Sequence, residues 1–80
     1  MRIKYIGVSF GIDSLTNGKE YEVIEYDEDV GALRIVDDSG DDYLYDPVNP
    51  KPLADNNHPG GRFEIAEDDE RGTLHKAIFG

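Results

Sequence analysis

Thr16-Asn17-Gly18-Lys19-Glu20-Tyr21-Glu22-Val23-Ile24 sets the architecture of this chain. Asn17-Gly18 offers residues that tolerate φ > 0, as a turn into a strand requires. Beyond it Tyr21 and Val23 share one face while Glu20 and Glu22 share the other, the period of two that marks a half-buried β-strand. At Ile24 the alternation slips, so that Ile24 and Tyr26 fall on the polar parity and Glu25 on the apolar one. Either a β-bulge resets the register there, or the strand leaves one sheet and curls into a second.

Working outward, Ile3, Tyr5 and, after Gly7, Val8 give a short first strand with Arg2 and Lys4 on its other face. Ser9 to Ser14 breaks the pattern and reads as a loop carrying Phe10 and Ile12, with Leu15 anchoring it to the core. Asp27 to Gly31 is a charged tip leading into Ala32-Leu33-Arg34-Ile35-Val36, the third strand. After an aspartate-rich turn from Asp37 to Asp42, Tyr43-Leu44-Tyr45 forms a fourth strand, stopped at Asp46-Pro47 because proline has no amide proton for a ladder. Pro47 to Arg62 holds all four prolines and the Gly60-Gly61 pair and reads as a long loop. Arg62 to Glu67 resumes alternation as strand five, with Phe63 and Ile65 inward. Thr73 to Phe79 fits two templates, a sixth strand hairpinned on the fifth, which is the expectation taken forward, and a short helix with Leu74, Ala77 and Ile78 on one side. The expectation is therefore one all-β domain over residues 1–80, a barrel of five or six antiparallel strands within 1–67 and a C-terminal extension over 68–80.

Composition bounds what such a domain does. Eighty residues make one small core, and without cysteine neither a disulfide nor a thiolate metal site reinforces it. The formal charge is −10, and residues 21–50 hold ten acids against the single Arg34. Direct binding to a phosphate backbone is thereby disfavoured, since it rests on Lys and Arg displacing counterions, and the charge points instead to a basic partner or simply to solubility. The N-terminus has no apolar run long enough for a signal peptide or membrane span, so the chain is expected to be cytoplasmic.

The order of these features resembles an SH3-like barrel. Leu15 to Val23 sits where that family has its diverging turn, the acidic tip where it has the n-Src loop, and Leu33 to Tyr45 where it has the distal hairpin. Tyr43-Leu44-Tyr45-Asp46-Pro47 and Phe63-Glu64-Ile65 match its closing strands. The run from Leu15 to Tyr45 also resembles small SH3-like proteins of bacteria and their phages, for which the resemblance implies a fold and no activity. The chain has no Trp, on which the eukaryotic SH3 peptide groove relies, and its loop after Pro47 is longer than the family's single turn.

No catalytic signature is present: there is no cysteine, the serines lie in no nucleophile-elbow context, and no Gly-rich phosphate loop follows a strand. A non-enzymatic interaction module is the leading expectation, without cofactor, monomeric or weakly dimeric. Its partner-binding face would gather Phe10, Tyr26, Tyr43 and Tyr45 with the carboxylates of Asp27, Glu28, Asp29, Asp41 and Asp42 around a basic or extended peptide. Set against this, the same rings serve equally well as core. Two further readings come from other classes. Patterned carboxylates would make an acidic nucleic-acid mimic, or the Asp37 to Asp42 turn would hold a divalent cation, although its spacing departs from the EF-hand pattern and solvated turn charges explain it as well. His58 and His75 lack nearby ligand partners in sequence and are expected in a loop and at the surface.

Overall fold

The computed structural model describes residues 1–11, 14–52 and 57–80; the predicted loop position of Ile12 and the middle of the proline-rich loop lie outside these. Five strands, β1 (Arg2–Gly7), β2 (Glu20–Asp27), β3 (Ala32–Val36), β4 (Asp42–Tyr45) and β5 (Gly61–Glu67), are followed by one helix, α1 (Thr73–Phe79). All neighbours are antiparallel and form one sheet in the order β4-β3-β2-β1-β5. The result is a small, barrel-like all-β fold.

The alternation in the sequence becomes the two faces of this sheet. Ile3 and Tyr5 on β1, Tyr21 and Val23 on β2, Leu33 and Ile35 on β3 and Phe63 on β5 all point into one core, joined by Leu15 from the loop before β2. Full burial of such side chains stabilises the fold by about 1.5–3 kcal/mol each before chain entropy is subtracted. On the opposite face Arg2 and Lys4 lie between Glu22 and Glu20 of β2 and Glu67 and Glu64 of β5. Cations there alternate with acids, strand by strand.

The slip at Ile24 is a bulge: the β2–β3 register shifts between Val23 and Glu25, leaving Ile24 exposed. The extra residue returns Tyr26 to the core side, opposite Leu33. A second device joins β1 to β5, where Gly7 faces Gly61. A Cβ on Gly61 would lie 2.5 Å from the Ile6 carbonyl and 2.6 Å from the Tyr5 ring, so only glycine lets the strands close over that tyrosine.

The segment expected as a sixth strand is α1. Leu74 is fully buried in the common core, and Ala77 and Ile78 pack beside it at the i, i+3 and i+4 spacing of a helical face. What the strand reading overlooked is the cap. Asp69 Oδ1 accepts the Thr73 N–H at 2.9 Å, and Asp68 accepts those of Leu74 at 2.9 Å and His75 at 3.1 Å. Three otherwise unpaired donors at the helix start are thereby satisfied.

Candidate functional site

The β3–β4 connection is built from Asp37-Asp38-Ser39-Gly40-Asp41. Gly40 N–H donates to the Asp37 carbonyl at 3.0 Å and Asp37 N–H to the Asp41 carbonyl at 3.1 Å. Gly40 has φ 84°, the left-handed residue that such a bulged hairpin needs. The two leading carboxylates turn inward. Asp37, only 7% exposed, accepts from Ser39 N–H at 2.9 Å, from the Ser39 hydroxyl and from the Tyr45 phenol at 2.5 Å. Ser14 Oγ lies 3.2 Å from the same phenol oxygen and donates to it, since the phenol proton is committed to Asp37.

Asp38 ties the other side. It accepts from Thr16 Oγ1 at 2.6 Å, from Lys19 Nζ at 2.5 Å and from the Tyr21 phenol at 3.0 Å. Burial acts to raise the Asp38 carboxyl, but the hydrogen bonds from Lys19, Thr16 and Tyr21 and the Lys19 charge together hold it below the usual aspartate range. Burial pushes the Tyr45 phenol strongly upward, and the Asp37 carboxylate beside it adds to that. Asp37 and Asp38 are therefore not the solvated turn charges that sequence suggested. They fasten the loop before β2 to the far hairpin, and their oxygens are already spent on internal donors. Among the described residues, no three His, Asp or Glu side chains converge as a metal centre would require.

Beside this hub an open cleft of about 1050 Å³ runs along β4. Phe10, Tyr43 and Tyr45 line it from the core side of the sheet, Arg34, Asp42 and Leu44 from the other face, and Asp46, Asn49, Lys51 and Pro52 from the segment after β4. The Phe10 ring is held 5.9 Å from Tyr45, 5.4 Å edge-on from Tyr5 and 5.1 Å from His58. His58 is itself buried rather than at the surface. Its Nδ1 accepts the Gly60 N–H at 2.9 Å, which assigns its proton to Nε2, 3.2 Å from the Ser9 carbonyl. Tyr43 and Leu44 remain 53% and 39% exposed, so the cleft offers apolar surface that nothing in the described fold covers. Arg34 is paired with Asp42 at 3.1 Å, leaving Asp41, Asp46 and Lys51 as the charges around the rim without an ion pair among the described residues.

Of the residues expected at a partner-binding face, the structure gathers Phe10, Tyr43, Tyr45 and Asp42 in the cleft, with Asp41 in the turn at its end. Tyr26, Asp27, Glu28 and Asp29 do not join them. Tyr26 lies across Leu33 from Tyr45, two strands or roughly 10 Å away, and Asp27 to Asp29 continue into the β2–β3 turn; none of the four lines the cleft. Tyr26 packs against the core, and Asp27 caps its own turn through the N–H groups of Asp29 and Val30. Sequence reading overlooked Leu44 and Arg34, which lie on the outward parity of their strands. The signal available for them was the shortness of the Tyr43-Leu44-Tyr45 run, which marks an edge strand open on both faces.

Comparison with protein-family models, with curated proteins and with solved structures gave no match. Among the described residues no helix is long and apolar enough to cross a membrane.

Proposed function

We propose that this protein is a non-enzymatic, cytoplasmic interaction module on an SH3-like barrel that binds a basic or extended peptide segment of a partner protein in the cleft along β4. The observation that carries this reading is the exposure of Tyr43 and Leu44 on the two faces of the edge strand β4, beside the half-buried Phe10 and Tyr45. A net charge of −10 draws cationic partners toward it and repels nucleic acid. A nucleic-acid mimic is the weaker reading, because Arg2 and Lys4 interrupt the acids on the outer face of the sheet where a continuous anionic stripe would run.

The test is selection of peptides from a random twelve-residue library on the full chain, followed by amide-shift mapping. Binders should perturb Phe10, Tyr43, Leu44 and Tyr45, and Tyr43→Ala, at an exposed position, should weaken them about tenfold while leaving the fold intact. Binders that map to Asp27–Gly31, or a library that yields none, would remove the reading.

A further inference from the structure

We infer that the partner segment binds as an added β-strand on the free edge of β4, antiparallel or parallel to it, held by the main chain of Asp42 and Leu44. This rests on the peptide-binding reading above and specifies its mode. Among the described residues β4 pairs with β3 alone, so one side of it carries no strand there. Which groups face that side follows from the hairpin. Asp37 N–H bonds the Asp41 carbonyl and the Asp37 carbonyl accepts Gly40 N–H, so Asp37 belongs to a hydrogen-bonded position of the ladder. Such positions alternate along an antiparallel pair. Val36↔Asp42 and Arg34↔Leu44 are then the non-bonded pairs, and Ile35↔Tyr43 and Leu33↔Tyr45 the bonded ones. The same parity emerges independently from the other side of the sheet, where Val23, opposite Ile35, turns its N–H to the Met1 carbonyl at 2.8 Å and away from β3. Asp42 and Leu44 consequently aim their N–H and C=O groups away from β3.

The cleft lies over this edge and not over one face. Its lining takes Tyr43 and Tyr45 from the core side of β4 and Asp42 and Leu44 from the outer side, with Arg34 behind them. An incoming strand would place alternate side chains on each: apolar ones against Phe10, Tyr43 and Tyr45, and the intervening ones beside Leu44 and the Asp41–Asp42 carboxylates. The charge of the chain selects the occupant. A second copy would bring together two molecules each carrying −10, whereas a Lys- or Arg-bearing segment of another protein is attracted.

The probes are the library-selected peptides, resynthesised with a single N-methyl group at each position in turn. Strand addition predicts that methylation at residues two apart weakens binding about tenfold while the intervening positions change it less than about twofold, because only alternate amides meet the β4 edge. In the same complexes the amide protons of Asp42 and Leu44 should exchange at least about tenfold more slowly than in the free protein, and Lys or Arg should recur in the selected sequences. Peptides that bind in the cleft with no alternation on methylation, and with Asp42 and Leu44 exchange unchanged, would overturn strand addition while leaving the binding reading intact. Absence of any cleft-binding peptide would overturn both. Sedimentation showing a dimer that Leu44→Glu disperses would overturn the choice of a cationic partner in favour of a second copy.

Discussion

The two acidic hairpin tips at opposite ends of β3 are alike in composition and unlike in what they do. Asp37 and Asp38 are shielded, and between them accept from two phenols, two hydroxyls and an ammonium. Asp27, Glu28 and Asp29 face water, and the one bonded carboxylate among them, Asp27, serves only the amides of its own turn. The difference arises from neighbours distant in sequence. Leu15, buried at the base of its loop, brings Ser14, Thr16 and Lys19 against the β3–β4 turn, and among the described residues no loop hydrogen-bonds to the β2–β3 turn. A run of carboxylates is thus a structural hub or a solvated tip according to which donors the fold delivers to it.

The largest break in this comparison should come from Asp37→Ala. It strands the Tyr45 phenol and the Ser39 donors at a shielded site, for an expected loss of about 2–3 kcal/mol in urea unfolding. If Asp37→Ala costs no more than a substitution at Asp29, the hub assignment is wrong.

A smaller and pH-dependent effect should follow Asp38→Asn. The Asp38 carboxyl is depressed in the folded state, so the unfolded chain binds more protons and stability rises with pH around and below the ordinary value of 3.8. Its contribution is fully present above that value and is lost as pH falls through the lower folded value. Lys19, raised chiefly by its hydrogen bond to Asp38, gives the mirror effect: a contribution present below 10.5 and lost as pH rises beyond it. Denaturant titrations from pH 2 to 5 should therefore show a shallower acid slope in Asp38→Asn than in the parent. Equal slopes would show that the Lys19–Thr16–Tyr21 contacts do not form in solution.

The smallest effects belong to the other tip. Glu28→Gln and Asp29→Asn should each change stability by less than about 0.5 kcal/mol, as exposed substitutions do. Both should also leave selected peptides bound with unchanged affinity, since this tip lies outside the cleft. A loss of binding on either change would show that the partner reaches across to it.

The strands were legible because burial on one side of a sheet imposes a period of two on local sequence, and Tyr21/Val23, Leu33/Ile35 and Phe63/Ile65 obey it. The bulge at Ile24 was legible for the same reason, as a break in that period. Helix α1 was missed because seven residues with four apolar positions satisfy either template, and the decision came from Asp68 and Asp69 lying just upstream to accept its first amides. Half of the candidate site was legible as exposed aromatics; that Tyr43 and Tyr45 line the cleft while Tyr26 does not was not legible, since it depends on β4 being the edge strand and β2 an inner one.

By itself the sequence determined the all-β class, the approximate positions of the five strands, the identity of the core face and the strongly anionic charge, because all of these are set by side-chain polarity and turn chemistry within a few residues. Only the tertiary structure decided which aspartates are spent inside, that His58 is buried, that the tail is helical, and that β4 is left as an open edge. Those outcomes depend on pairings between residues from about ten to fifty positions apart, such as Phe10 with Tyr45 and Ser9 with His58, which no local pattern records.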